Sequence, residues 1–296
     1  MLDAVSYLPK KQSRSEFLTL RSKRYHLRHW GESSAPLLVF LHGWMDISAT
    51  HQFVVDALQK EWHIVAPDWS GYGGSDAREG AFYLTEYLAD LDALLEQISP
   101  SQPASLVAHS MGANIATMYA GARPERVNYL VNMEGLGPLP SMMAHPTEML
   151  SRWLASQRKE KRTVSYSSVQ AFADRLIESN DRLPMPRALF LAKHFVTEKN
   201  NGGVELLADS SARAYLPMFP HIDQVVDMWS RITAKVLFLR GDESVITLAY
   251  KQDIDTMQRR MNAVSYREEI EFRGVSHNMH HEIPELIAKE IENFLR

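Results

Sequence analysis

Three stretches of the chain carry side chains able to do chemistry. The first is Ala108-His109-Ser110-Met111-Gly112. Small residues two places either side of a serine suit a tight strand-to-helix turn, whose crowded, strained backbone excludes larger side chains. Such a turn lifts Ser110 to a helix N-terminus, where the dipole and free amides favour a developing negative charge. The chemistry on offer is nucleophilic attack with a covalent acyl intermediate. Ala108 stands where the commoner pattern has Gly, which relaxes the motif but keeps the side chain small. The second stretch, Gly274 to Pro284, offers His277, His280 and His281 as proton acceptors. His277 and His281 have the i, i+4 spacing of a helical metal site, but the pattern puts His277 in a loop, so no metal is expected. His280 and His281 are expected to line a pocket or cap the following helix. The third group is carboxylates at strand ends: Glu134 after Val127 to Met133, and Asp242 and Glu243 after Val236 to Leu239.

Positioning these groups needs a sizeable core, and the composition allows one. The chain has 296 residues, 45% hydrophobic and 23% charged, as in a soluble globular protein of one large domain with an insertion. Its net charge of -4 and the brevity of its one basic run, Arg158-Lys159-Glu160-Lys161-Arg162, argue against nucleic acid as a partner. With no cysteine, disulfides, thiolate catalysis and cysteine-based zinc sites are excluded. Met1 to Lys11 lacks the apolar stretch of a secretory signal. No apolar run approaches the roughly 18 residues of a membrane span. The expected compartment is the cytoplasm.

The elements alternate. Strand-like stretches at Glu16 to Leu20 and Tyr25 to Trp30 read as a hairpin-like start. Leu37 to Leu41 is a continuous apolar run, as in a strand buried on both faces. A helix over Ser48 to Leu58, a strand from His63 and a glycine-rich turn over Pro67 to Asp76 follow. Then come a helix over Leu84 to Ile98, a strand over Ala104 to Ala108, a helix over Gly112 to Ala122 and the strand Val127 to Met133. This order predicts an α/β fold: a mostly parallel sheet with helices on both faces. The alternation stops between Pro138 and Ser230, which read as helices separated by polar turns such as Asn200-Asn201-Gly202-Gly203. It resumes with Val236 to Leu239, a helix over Leu248 to Arg260, a strand over Glu269 to Phe272 and a helix over Pro284 to Leu295. The expected domains are therefore a core of residues 1–137 and 231–296 and a helical cap of residues 138–230, inserted where ligands bind. Trp153, Phe172, Phe190, Tyr215 and Trp229 are expected chiefly to pack the cap onto the core.

Taken with His42-Gly43-Trp44-Met45 at the end of the Leu37 to Leu41 strand, these features make the chain resemble the α/β-hydrolase fold superfamily. The likeness covers nearly the whole chain outside the insertion. It rests on His42-Gly43, the turn Asp68-Trp69-Ser70-Gly71-Tyr72-Gly73-Gly74-Ser75, the elbow at Ser110, and His277 to Pro284. The resemblance implies that the backbone amides of Trp44 and Met111 form an oxyanion hole, and that Trp44, Met111 and His280 border the substrate. In such proteins the base lies five positions before the Glu of a Glu-x-Pro pair, which here gives His277. The usual acid position, three residues past Gly241, is Ser244, which cannot serve. Certain haloalkane dehalogenases take the acid from the strand end that Glu134 occupies. Glu134 is therefore favoured, with Asp242 and Glu243 as alternatives. His42 and the 68–75 turn are read as structural.

The implied activity is hydrolysis of carboxylic esters with small to medium hydrophobic groups through an acyl-enzyme, without metal or organic cofactor. Haloalkane dehalogenases and epoxide hydrolases carry Asp at the elbow, and Ser110 argues against both. A C–C bond hydrolase or cofactor-free peroxidase is the alternative within the fold. A non-catalytic ligand-binding protein is the alternative of another class, and the presence of both Ser110 and His277 counts against it.

Overall fold

A computed structural model describes residues 6–78, 83–139, 145–158, 163–200, 202–209 and 220–296. The strands are β1 (Arg14–Leu20), β2 (Lys23–Trp30), β3 (Leu37–Leu41), β4 (His63–Pro67), β5 (Ala104–His109), β6 (Val127–Met133), β10 (Lys235–Gly241) and β11 (Arg267–Phe272). They form one sheet in the order β1-β2-β4-β3-β5-β6-β10-β11. The hairpin β1-β2 is antiparallel and joins β4 antiparallel; β4 through β11 run parallel.

The apolar run in β3 shows why the parallel strands need helices on both sides. Leu38 and Phe40 pack in one layer with Val54 and Val55 of α1 (Gln52–Ala57) and Ile287 and Ile291 of α11 (Pro284–Phe294). Val39 and Leu41 pack in the other, with Leu91 and Leu94 of α2 (Leu84–Ile98) and Ile115 of α3 (Ser110–Ala122). Side chains alternate across a strand, so a run apolar at every position buries both faces.

The segment between β6 and β10 holds α4 (Pro146–Gln157), α5 (Val169–Ser179), α6 (Met185–Phe195) and α7 (Ile222–Ser230). It also holds a small antiparallel sheet, β7 (Ser165–Tyr166), β8 (Val196–Glu198) and β9 (Val204–Leu206), in the order β7-β9-β8. An all-helical insertion was expected, and the strands correct it. The glycine pair that reads as a loop turns a hairpin: Gly202 and Gly203 have φ of 89° and 77°, which glycine adopts without penalty. Backbone bonds from Gly73 to Leu207 (2.8 Å) and from Asp209 to Gly71 (2.7 Å) tie this sheet to the glycine-rich turn of the core. Tyr215, Asn201 and Lys159 to Arg162 lie outside the described residues.

Two further boundaries differ. The single helix expected over Leu248 to Arg260 is two, α8 (Val245–Tyr250) and α9 (Ile254–Ala263), because the Asp253 side chain accepts from the Thr256 amide and starts a new helix. Over Ser48 to Leu58 a 3-10 turn, Ser48–His51, precedes α1. No helix among the described residues is long and apolar enough to cross a membrane.

Candidate active site

The turn at Ser110 is built by β5 ending at His109 and α3 starting at Ser110, whose φ of 51° is a left-handed conformation that costs a non-glycine residue energy. The small flanking residues have a measurable reason. A Cβ on Gly112 would come within 2.6 Å of the Leu41 carbonyl oxygen and 2.5 Å of that of His42. Only glycine therefore lets α3 press against the end of β3. A Cβ on Gly43 would meet His109 Nδ1 at 3.0 Å and Ser110 Cβ at 3.2 Å, so the loop after β3 passes directly over the serine. Trp44 follows on that loop with 55% of its surface exposed, and Met45 has φ of 55°.

His277 lies in the loop after β11, before the short helix α10 (Met279–Glu282). Its Nε2 is 2.9 Å from Ser110 Oγ. Its Nδ1 faces Glu134 Oε2 at 3.5 Å. Glu134 is buried, with φ of 64°, one residue past β6. Its Oε1 accepts the Gly241 amide at 2.6 Å and its Oε2 accepts the Ser244 hydroxyl at 2.5 Å. Ser244, the residue at the usual acid position, is fully buried, and its oxygen also accepts the Ile246 amide at the start of α8.

Asp242 and Glu243 are not brought to His277. Asp242 Oδ1 accepts the Gly274 amide at 2.7 Å, and Glu243 makes an ion pair with Arg182 at the surface. The chain turns after Gly241 so that Ser244, not its two acidic neighbours, points inward.

Residues 36–222 match the α/β hydrolase fold family. The chain belongs to that family. It is 29% identical over 286 residues to a "Serine hydrolase-like protein" of Danio rerio, spanning 90% of this chain and 83% of that one. It is 25% identical to the "2-(acetamidomethylene)succinate hydrolase" of Mesorhizobium japonicum, spanning 89% of each. Among solved structures it superposes on the "Thioesterase Domain From Curacin Biosynthetic Pathway" with a TM-score of 0.83 and 25% identity, over 95% of this chain and 99% of that one. The protein is thus a hydrolase of this fold.

Two buried groups brace the site of this α/β hydrolase. His42 Nδ1 donates to the Gly43 carbonyl at 2.8 Å, and its Nε2 accepts the Trp69 amide at 2.9 Å. One nitrogen donating and the other accepting requires the neutral ring. Burial, against a smaller pull from Asp68, brings its pKa down to about 4. Asp68 accepts the Ser48 amide at 2.6 Å, the Gly74 amide at 2.9 Å and His26 Nδ1 at 2.8 Å. Burial alone would raise its carboxyl, but the His26 hydrogen bond and charge lead the effects that hold it well below the usual carboxylate range. A Cβ on Gly73, at φ 53°, would stand 2.1 Å from Asp68 Oδ2. The 68–75 turn is wrapped around this carboxylate and shapes the fold beside the site.

A second histidine layer lies behind the serine. His109 Nε2 donates to the main-chain carbonyl of His277 at 2.9 Å. The His109 ring centre is 4.8 Å from that of His277 and 4.3 Å from that of His280. His280 was expected to border the substrate. It has no exposed surface, and its Nε2 sits 3.1 Å from Thr50 Oγ1. It packs behind the elbow and presents nothing to an open pocket. His281 also contacts the Thr50 hydroxyl and packs against Phe53, with its pKa brought down by burial to about 3. Asp46, on the loop after Trp44, is buried beside this layer. Burial pushes its carboxyl up to about 7, against the Ile47 amide, Thr50 and Gly43 hydrogen bonds that favour the charged form. Sequence reasoning missed His109 and Asp46. Their only signal was position, one in the elbow and one in the loop beside it.

Proposed function

We propose that this hydrolase is a serine esterase in which Ser110, His277 and Glu134 act as nucleophile, base and orienting acid. One observation carries the reading: Ser110 Oγ, His277 and Glu134 stand in line, at 2.9 Å and 3.5 Å, although they come from three separate elements. His277 Nε2 takes the Ser110 proton as Oγ attacks the ester carbonyl carbon. The carbonyl oxygen gathers the negative charge, held by the backbone amides of Trp44 and Met111. The intermediate collapses as His277 returns the proton to the leaving alcohol, and the acyl group stays on Ser110. Water, deprotonated by His277, then attacks the acyl-enzyme and releases the carboxylic acid. Glu134 holds the tautomer in which Nδ1 carries hydrogen, and stabilises the imidazolium formed in each half-reaction.

The proposed substrate is a small-molecule carboxylic ester with small to medium hydrophobic groups, hydrolysed in the cytoplasm without a cofactor. Residues 138–230 act as the cap, since their sheet is tied to the glycine-rich turn beside the elbow. A second reading follows from the Mesorhizobium relative, similar over 89% of both chains: hydrolysis of a 2-(acetamidomethylene)succinate-type compound by the same serine. A fluorophosphonate probe should label the protein at Ser110, and a panel of p-nitrophenyl esters of increasing chain length should be turned over. Absence of turnover across that panel, with hydrolysis of 2-(acetamidomethylene)succinate, would replace the first reading by the second.

A further inference from the structure

Behind the elbow, one carboxylate oxygen of Asp46 and one ring nitrogen each of His109 and His280 lie within 4.8 Å of one another. All three residues are buried. Two imidazoles and a carboxylate are a donor set that suits borderline divalent metals. Proximity alone would describe a packed polar cluster, so the state of each nitrogen matters.

His109 Nε2 donates to the His277 carbonyl, which can only accept. Its Nδ1 therefore carries a lone pair, and that atom is buried with no hydrogen-bond partner. Thr50 Oγ1 contacts the Nε2 atoms of both His280 and His281, and His280 Nε2 also stands 3.9 Å from an Asp46 carboxylate oxygen. A hydroxyl has one proton. It can satisfy at most one of the two rings, so the other ring donates to Thr50. His280 Nδ1 is likewise buried and without a partner. Unpaired buried acceptors cost free energy, and metal coordination is one way to satisfy them. A metal ligand must be an unprotonated nitrogen: His109 Nδ1 is one, and a neutral imidazole at His280 always supplies another.

We propose that Asp46, His109 and His280 form a binding site for a divalent transition metal of the Zn²⁺ class, and that its occupation inhibits the enzyme. Zn–N and Zn–O bonds of about 2.0–2.2 Å in a tetrahedral shell place ligand atoms roughly 3.3 Å apart. Binding must therefore draw this cluster inward. Asp46 follows the Gly43-Trp44 loop, and His109 holds the His277 main chain. The contraction moves the two loops that the proposed mechanism uses, and a misplacement of about 1 Å there can cost on the order of a hundredfold in rate. The inhibitory half of this proposal rests on the serine-hydrolase reading; the site itself does not.

The test uses the full chain freed of metal. Equilibrium dialysis against ZnCl₂ should give one Zn²⁺ per chain, and added Zn²⁺ should lower ester turnover at least tenfold, reversed by EDTA. His277→Ala should bind Zn²⁺ as the wild type does, because it keeps the main-chain carbonyl. Asp46→Asn and His280→Gln should each weaken binding at least tenfold. If either variant fails to fold, the visible spectrum of bound Co²⁺ decides: the same band in wild type and His277→Ala supports the site, and a band lost with His277 overturns it. Absence of stoichiometric binding, or binding with unchanged turnover, also overturns the proposal. Turnover measured without Zn²⁺ tests the esterase reading separately.

Discussion

Glu134, Asp242 and Glu243 all follow strands in the sequence, and what separates them is their surroundings in space. Glu134 is buried under two donors and faces His277, whereas Asp242 and Glu243 are spent on Gly274 and Arg182. Glu134→Gln should lower turnover by on the order of 10⁴, because the tautomer and the imidazolium both lose support. Asp242→Asn and Glu243→Gln should stay near wild type; steady-state kinetics on one ester compares all three. Ser110→Ala should abolish both turnover and fluorophosphonate labelling. Ser244→Ala tests the hydroxyl behind the acid. A hydrogen bond to a charged group contributes about 1.5–3 kcal/mol, so kcat should fall by up to roughly a hundredfold, well short of Glu134→Gln. Equal losses in the two variants would mean that Ser244 does more than support the carboxylate.

At the scale of elements, the elbow works because α3 lies against the end of β3 at Gly112. The atoms a Cβ would strike are backbone carbonyl oxygens, which cannot rotate away. Gly112→Ala should therefore destabilise the fold by about 1–3 kcal/mol, read as a lower urea midpoint with an unchanged slope. Turnover should fall as well, since Ser110 and Met111 immediately precede Gly112 in the same turn of α3. The insertion is seated on the same helix. A Cβ on Gly121 of α3 would come within 2.1 Å of the Met228 carbonyl oxygen of α7, so these helices touch backbone to backbone. The strand-helix alternation of the core was legible because it is built round apolar runs of strand length, such as Leu37–Leu41. The β7-β9-β8 sheet was not, since strands of two and three residues are too short to show a period.

Across the whole molecule, the buried imidazoles set a pH limit on stability. His42 has its pKa lowered by burial to about 4, and burial holds those of His51, His109 and His280 well below the ordinary value. In the unfolded chain these rings take a proton near pH 6.5. Their contribution is thus complete above about pH 6.5 and is lost as pH falls toward the folded value. His42 alone loses about 3 kcal/mol by pH 4. Asp46 has the opposite sign: its raised pKa favours the fold in acid and costs stability as pH rises toward about 7. One carboxyl opposes at least four rings, so the melting temperature should fall steadily from about pH 7 to pH 5. A flat profile over that range would show that these rings are not held neutral. Asp68 adds acid sensitivity only lower down, because its depressed pKa keeps its contribution intact until pH falls below about 4.

The sequence by itself determined the parallel sheet and the tight turn at Ser110, and its resemblance to the family pointed to His277 and to the loop that crosses the serine. Each leaves a local mark: Leu37–Leu41 is apolar throughout, a tight turn needs small residues, and the resemblance ties His277 to the Glu-x-Pro pair that opens the last helix. That Glu134, favoured in the sequence, faces His277 while Asp242 and Glu243 do not, and that Ser244 donates to it, needed the chain's path after Gly241. That path is set by how β6, β10 and the start of α8 pack together. The histidine layer behind the elbow is likewise tertiary. Asp46, Thr50, His109 and His280 come from three stretches of chain, and no spacing in the sequence says that they meet. A side chain's chemistry is written in its type, but its protonation state and partners depend on what buries it.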